Sequence, residues 1–127
     1  MSVAGELVLI VEDNDKNLKL ARDLLEMRAF RVLAAGTAEE GVKLAKQHQP
    51  DVVLMDVQLP GMDGFAALRA LRADPATAGL RVAAFTASVM KEDVTRIMEA
   101  GFDGYIAKPI NVREFPAQVA AICAKKR

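Results

Sequence analysis

A chain of 127 residues, 52% of them hydrophobic, holds enough apolar material for one domain with a buried core. Its 17 basic and 17 acidic side chains cancel, which argues against a general binder of nucleic acid or anionic membrane. One cysteine, Cys123, excludes an internal disulfide, and no apolar run is long enough to span a bilayer.

The amino terminus lacks the basic and apolar regions of a secretory signal, so a cytoplasmic location without membrane insertion is expected. Leu7-Val8-Leu9-Ile10-Val11 reads as a strand covered on both faces, and it ends at Glu12-Asp13. Two acids directly after an apolar strand are unusual, because a buried charge is costly unless paired or metal-bound. Asn14 or Asp15 can cap a helix whose apolar face uses Leu18, Ala21, Leu24 and Leu25. Phe30 to Ala34 form a second, less uniformly apolar strand, expected nearer an edge. Thr37 and Glu40 make a capping box for the next helix, which Pro50 stops.

Val52 to Met55 are a third covered strand, and it delivers one carboxylate, Asp56, to its end before the break at Pro60-Gly61. Phe65, Leu68 and Leu71 mark a third helix that Asp74-Pro75 ends. Val82 to Phe85 are a fourth covered strand, ending at Thr86-Ala87-Ser88. Met90, Val94, Ile97 and Met98 are expected to line a fourth helix, with Gly101 left-handed past its end. Tyr105-Ile106-Ala107 is a short last strand leading to Lys108-Pro109. Asn111 is expected to cap a final helix with Val112, Phe115, Val119 and Ile122 inward. Pro116 cannot donate to the Val112 carbonyl, so a bent or late-starting first turn is expected.

Strand and helix alternate five times. Parallel strands joined by right-handed crossovers place helices on both faces of the sheet. The expected fold is therefore α/β, a flavodoxin-like (βα)5 doubly wound sheet with strand order 2-1-3-4-5. In that order the first and third strands adjoin, so Glu12, Asp13 and Asp56 converge, while Thr86 and Lys108 reach the same rim. Three crowded carboxylates repel, at roughly 4 kcal/mol per pair at 4 Å and an effective dielectric near 20. A divalent cation relieves this, and oxygen ligands favour a hard ion such as Mg²⁺. Asp13 and Asp56 are the expected direct ligands, with the Gln58 backbone carbonyl, and Glu12 acting through water. Neutralised in this way, Asp56 can attack a phosphoryl group, with Lys108 steadying its oxygens and the Thr86 hydroxyl bonding one of them.

The marks Val11-Glu12-Asp13-Asn14, Leu54 to Gly64 around Asp56, Thr86-Ala87 and Tyr105-Ile106-Ala107-Lys108-Pro109 occur in this order and spacing. Through them the chain, from about Leu7 to Ile122, resembles the receiver domains of bacterial two-component response regulators. That resemblance implies Asp56 as phosphoacceptor, Glu12 and Asp13 as the acid pocket, and Lys108 as the phosphate-binding lysine. It implies Thr86 as the switch hydroxyl, Tyr105 as the switch aromatic, Ala87 as the small residue beside the phosphoryl group, and a cis Lys108-Pro109 peptide. It also implies a histidine kinase or histidine phosphotransferase as donor, a downstream effector protein as target, and a switching surface around the fourth helix, fifth strand and fifth helix. Gln58 and Ser88 fall where receiver side chains vary and influence phosphate lifetime.

The last helix runs close to Arg127, so the expectation is one receiver domain spanning 1–127 without an output domain, similar to stand-alone receivers and more narrowly to the DivK-like group. Such a chain is a signalling switch that catalyses its own phosphorylation and dephosphorylation. Two other readings stay open. A Mg-dependent phosphohydrolase with an aspartyl-phosphate intermediate usually wants a second acid two residues after the nucleophile, where this chain has Gln58. A degenerate receiver would bind partners without phosphorylation, although all five rim residues are present. His48 is expected to be surface filler, Cys123 packing, and Lys125-Lys126-Arg127 a solvated helix terminus.

Overall fold

The computed structural model describes residues 5–58 and 63–125. The Pro60-Gly61 break, Met62 and the Lys126-Arg127 end of the basic terminus lie outside the described residues. In chain order the elements are β1 (Leu7–Val11), α1 (Asp15–Glu26), β2 (Arg31–Ala35), α2 (Ala38–His48) and β3 (Val52–Asp56). They continue with α3 (Gly64–Ala73), β4 (Val82–Thr86), α4 (Lys91–Ala100), β5 (Gly104–Ala107) and α5 (Phe115–Cys123). All strand pairs are parallel, in the order β2-β1-β3-β4-β5.

Side chains alternate across the sheet and so divide the core in two. Leu9, Val11, Val53, Met55, Val82 and Ala84 face α2, α3 and α4, where Ala38, Ala45, Leu68, Leu71 and Ile97 close over them. Val8, Ile10, Val52, Leu54, Ala83, Phe85 and Ile106 face α1 and α5, covered by Ala21, Leu25, Phe115, Val119 and Ile122. Two covered faces explain the unbroken apolar runs of β1, β3 and β4. β2 lies at one edge, with Arg31 exposed, as its more polar sequence predicts.

Local chemistry sets most helix ends. The Asn14 side chain accepts from the Asn17 N–H and opens α1, and Asp63 does the same for α3 through Ala66. Thr37 accepts from the Glu40 N–H, while the Glu40 carboxylate reaches back to the N–H of Gly36, one residue beyond the usual partner. Gln49 turns left-handed at φ 49° to close α2 ahead of Pro50, and Gly101 does so at φ 106° after α4.

Two expectations need correction. Met90 is the exposed residue before α4 and Met98 is also exposed, so Ile97, with Val94 half-buried, carries the packing of that helix. Val112 is exposed too, and Asn111 caps a turn that precedes α5, accepting from the Arg113 and Glu114 N–H groups. The helix proper starts at Phe115, which places Pro116 in its first turn, where no intrahelical donor is lost. That is the late start the proline demands.

Register then levels the strand ends. Val11 pairs with Met55, so Glu12 follows β1 beside Asp56 at the end of β3. Asp56 pairs with Phe85, and Thr86 pairs with Ala107, which brings Lys108 to the next position on the same rim.

Candidate functional site

The rim holds a buried, hydrogen-bonded group of charges. The Lys108 Nζ donates to Glu12 Oε1 at 2.9 Å and to Asp56 Oδ2 at 3.1 Å. Glu12 is 1% exposed and Asp56 3%, so neither carboxylate is solvated well enough to be indifferent to the lysine. The other Asp56 oxygen, Oδ1, accepts the Gln58 N–H at 2.9 Å. One backbone donor and one ammonium thereby fix the orientation of the Asp56 carboxylate. Glu12 gains two further donors, the Asn17 side chain at 3.3 Å and the Asn14 N–H at 3.4 Å.

The backbone sets these positions before the side chains meet. Lys108 N–H donates to the Thr86 carbonyl at 2.7 Å, extending the ladder past β4 and β5, and Glu12 N–H donates to the Ala35 carbonyl. The Lys108 ammonium also lies 5.0 Å from the centre of the Phe85 ring, on the apolar floor of the site.

Burial, and after it the hydrogen bond and charge of Asp56, push the Glu12 carboxyl above its ordinary range, against the pull of Lys108. For Lys108, burial acts downward, but the hydrogen bonds and charges of Glu12 and Asp56 outweigh it and the ammonium is held above its ordinary value. One lysine thus faces two buried acids. Asp13 adds a third from the exposed side: carboxylate oxygens of Glu12, Asp13 and Asp56 lie within 4.8 Å of one another. An all-oxygen cluster with excess negative charge fits a hard divalent cation.

Among the described residues, neither Thr86 nor Tyr105 hydrogen-bonds through its side chain to this cluster. The buried Thr86 hydroxyl donates to the Ser88 carbonyl and accepts from the Ser88 N–H, each at 3.1 Å. Between it and α3 lies a cavity of about 180 Å³ lined by Gln58, Asp63, Phe65, Ser88 and Arg96 among others. Tyr105 is 41% exposed on β5 and lines a separate groove with Met98, Gln118 and Ile122. Ala87 and His48 are exposed, and Cys123 is buried in the core.

Sequence reasoning missed three contributors. Asn17 follows Glu12 by five positions, and its place in the first turn of α1 was the available signal. Gly64 packs against the backbone of Asp56 and Val57, and its place directly after the Asp63 cap gave no hint of this. Asp93 bonds the Ser88 hydroxyl at 2.5 Å, a contact across the β4–α4 loop.

A doubly wound five-stranded sheet whose rim unites two buried acids, a third acid and a lysine defines the response regulator receiver class, and the receiver domain model of that family matches residues 8–120. The chain belongs to the response regulator receiver domain family. It is DivK-like in sequence: the polar-differentiation response regulator DivK of Brucella ovis is 42% identical over 108 residues, covering 85% of this chain and 88% of that protein. Among solved structures, a response regulator from Chloroflexus aurantiacus aligns with a TM-score of 0.89 at 30% identity, over 95% of this chain and 99% of that one. The receiver domain of the Pseudomonas aeruginosa sensor histidine kinase PA1611, solved with magnesium in its active-site cleft, aligns at 0.86 and 30% identity over 96% and 100%.

Proposed function

We propose that this phosphoacceptor response regulator takes its phosphoryl group on Asp56, from a phosphohistidine of a histidine kinase or histidine phosphotransferase. The observation that carries this reading is the bracketing of Asp56 by Lys108 and the Gln58 N–H beside two further acids. An Asp56 oxygen attacks phosphorus, the P–N bond breaks, and the imidazole leaves with its electron pair. Lys108 offers its ammonium to the incoming phosphoryl oxygens while keeping one positive charge between Glu12 and Asp56. The Gln58 N–H holds the carboxylate rotamer through the transfer.

The carboxylate cluster fits Mg²⁺, with Asp13, Asp56 and the Gln58 backbone carbonyl as direct ligands and Glu12 acting through water. When bound, the ion supplies positive charge against the phosphoryl oxygens. The related magnesium-bearing receiver domain supports the same reading.

The aspartyl phosphate then attracts the Thr86 hydroxyl, Tyr105 turns inward, and the surface formed by α4, β5 and α5 changes affinity for a downstream effector. A near-complete switch needs about 5.5 kcal/mol of differential stabilisation, within reach of a few charge-assisted hydrogen bonds. The chain acts as a cytoplasmic signalling switch whose only chemistry is its own phosphorylation and dephosphorylation. No helix among the described residues is long and apolar enough to cross a membrane, which is compatible with that role.

The test is intact-mass measurement after incubation with Mg²⁺ and a cognate kinase or small phosphodonor. A single phosphoryl adduct on the wild type, absent from Asp56→Asn, is expected. Multiple turnover of phosphoesters, or no adduct with any donor, would overturn the reading.

A further inference from the structure

The Thr86 hydroxyl has one proton to give, and in this structure it gives it to the Ser88 carbonyl while accepting the Ser88 N–H. Both bonds go to one residue, so the hydroxyl follows the backbone of Ser88. Ser88 is itself tied down: its hydroxyl donates to Asp93 Oδ2 at 2.5 Å and lies 3.5 Å from the Met90 N–H as acceptor. An O–H donating to a carboxylate makes a charge-assisted hydrogen bond, stronger than one between neutral groups.

Asp93 lies in the first turn of α4, whose N-cap residue, Met90, has no side chain able to cap. The Ser88–Asp93 bond ties the β4–α4 loop to that helix, side chain to side chain. A chain of bonds runs from the hydroxyl expected to meet a phosphoryl group, through one loop residue, to an α4 carboxylate.

We propose that Asp93, acting through Ser88, is a positioning residue that holds the Thr86 hydroxyl away from Asp56 and sets how readily the phosphorylated state forms. This rests on the reading of Asp56 as phosphoacceptor and Thr86 as its partner hydroxyl. For Thr86 to donate to a phosphoryl oxygen it must release the Ser88 carbonyl, and the loop yields only as far as the Asp93 bond permits. Removing the carboxylate frees the loop without touching Glu12, Asp13, Asp56 or Lys108.

The experiment is a double-mutant cycle on phosphorylation by a small acyl phosphate in excess Mg²⁺, followed by intact mass. The variants are wild type, Asp93→Ala, Thr86→Ala and the double variant, with thermal midpoints measured in parallel. Asp93→Ala is expected to phosphorylate about five- to tenfold faster, and by less than about twofold when Thr86 is already alanine. Asp93→Asn, which keeps an acceptor but not its charge, is expected to fall between, and Ser88→Ala to match Asp93→Ala. A merely structural Asp93 would change the rate equally with and without Thr86, or not at all, and either result overturns the latch while leaving Asp56 as acceptor. Wild type that takes up no phosphoryl group overturns the underlying reading, and the latch with it.

Discussion

Gly64, the first residue of α3, lies so close to the phosphoacceptor candidate Asp56 that a Cβ there would stand 2.7 Å from the Val57 Cα and nearer still to the Asp56 carbonyl oxygen. Both obstacles are backbone, so no rotamer change relieves them. Alanine is the better helix former by about 1 kcal/mol in a helix interior, but this is a helix start, where that advantage shrinks. The clash decides the outcome. Gly64→Ala is expected to lose about 2 kcal/mol in urea unfolding, as overpacked sites do, and to slow phosphoryl uptake at Asp56 by about tenfold through displacement of the end of β3.

Lys108→Met is expected to leave Glu12 and Asp56 facing each other without a counter-charge. All three side chains are largely buried, so the loss is that of a broken buried pair, about 3 kcal/mol at neutral pH. The sign with pH follows from Glu12, whose carboxyl already sits above its usual 4.5 and loses the lysine that pulls it down. The native state then holds a proton that the unfolded chain has released, so stability falls as pH climbs from 4.5 through the raised value. Urea midpoints at pH 5 and pH 8 check this: the deficit against wild type is expected to be smaller at pH 5.

Arg72 ties three segments together. Its guanidinium donates to the Ala78 and Leu80 carbonyls at 3.1 and 2.6 Å and to Asp103 Oδ2 at 3.0 Å, and that same oxygen accepts the Val82 N–H at 2.8 Å. The start of β4 and the turn before β5 are thereby held to α3. Arg72→Met is expected to cost about 3 kcal/mol, because a shielded carboxylate loses its counter-charge and the Ala78, Leu80 and Gly101 carbonyls each lose a donor. Lys19→Ala, which breaks the exposed Lys19–Asp23 pair, is expected to leave the unfolding midpoint unchanged within error.

Cys123 is buried near Glu6, and burial followed by the Glu6 charge pushes its thiol from 9.0 up to about 12. In the native protein at pH 8 to 9, alkylation by iodoacetamide is therefore expected to be slow, and to accelerate on addition of denaturant. Between pH 9 and 12 the native thiol keeps a proton that the unfolded chain loses. Its contribution to stability is full below 9 and is lost progressively as pH rises towards 12. Prompt alkylation without denaturant would sink this expectation.

Much of this protein was decided locally and so was legible in its sequence. Unbroken apolar runs such as Val52 to Met55 announce strands covered on both faces, and five strands alternating with helices leave the doubly wound sheet as the natural arrangement. Thr37 and Gly101 could be assigned to helix ends, and the cap of α1 narrowed to Asn14 or Asp15, because capping depends on a few adjacent residues. Where burial depended on what lay opposite, the pattern misled: Met90, Met98 and Val112 fit an apolar helix stripe, yet they are exposed. Lys108 and Glu12 are 96 positions apart, and only parallel register makes them neighbours. Loop bonds were hidden more deeply, since Thr86 satisfied by Ser88, Ser88 held by Asp93, and Gly64 pressed on the Asp56 backbone follow from distances that periodicity does not encode. Sequence sets which residues prefer the interior and where elements begin, because those preferences act over a few bonds; the closeness of particular atoms belongs to the packed chain, because it depends on all the layers at once.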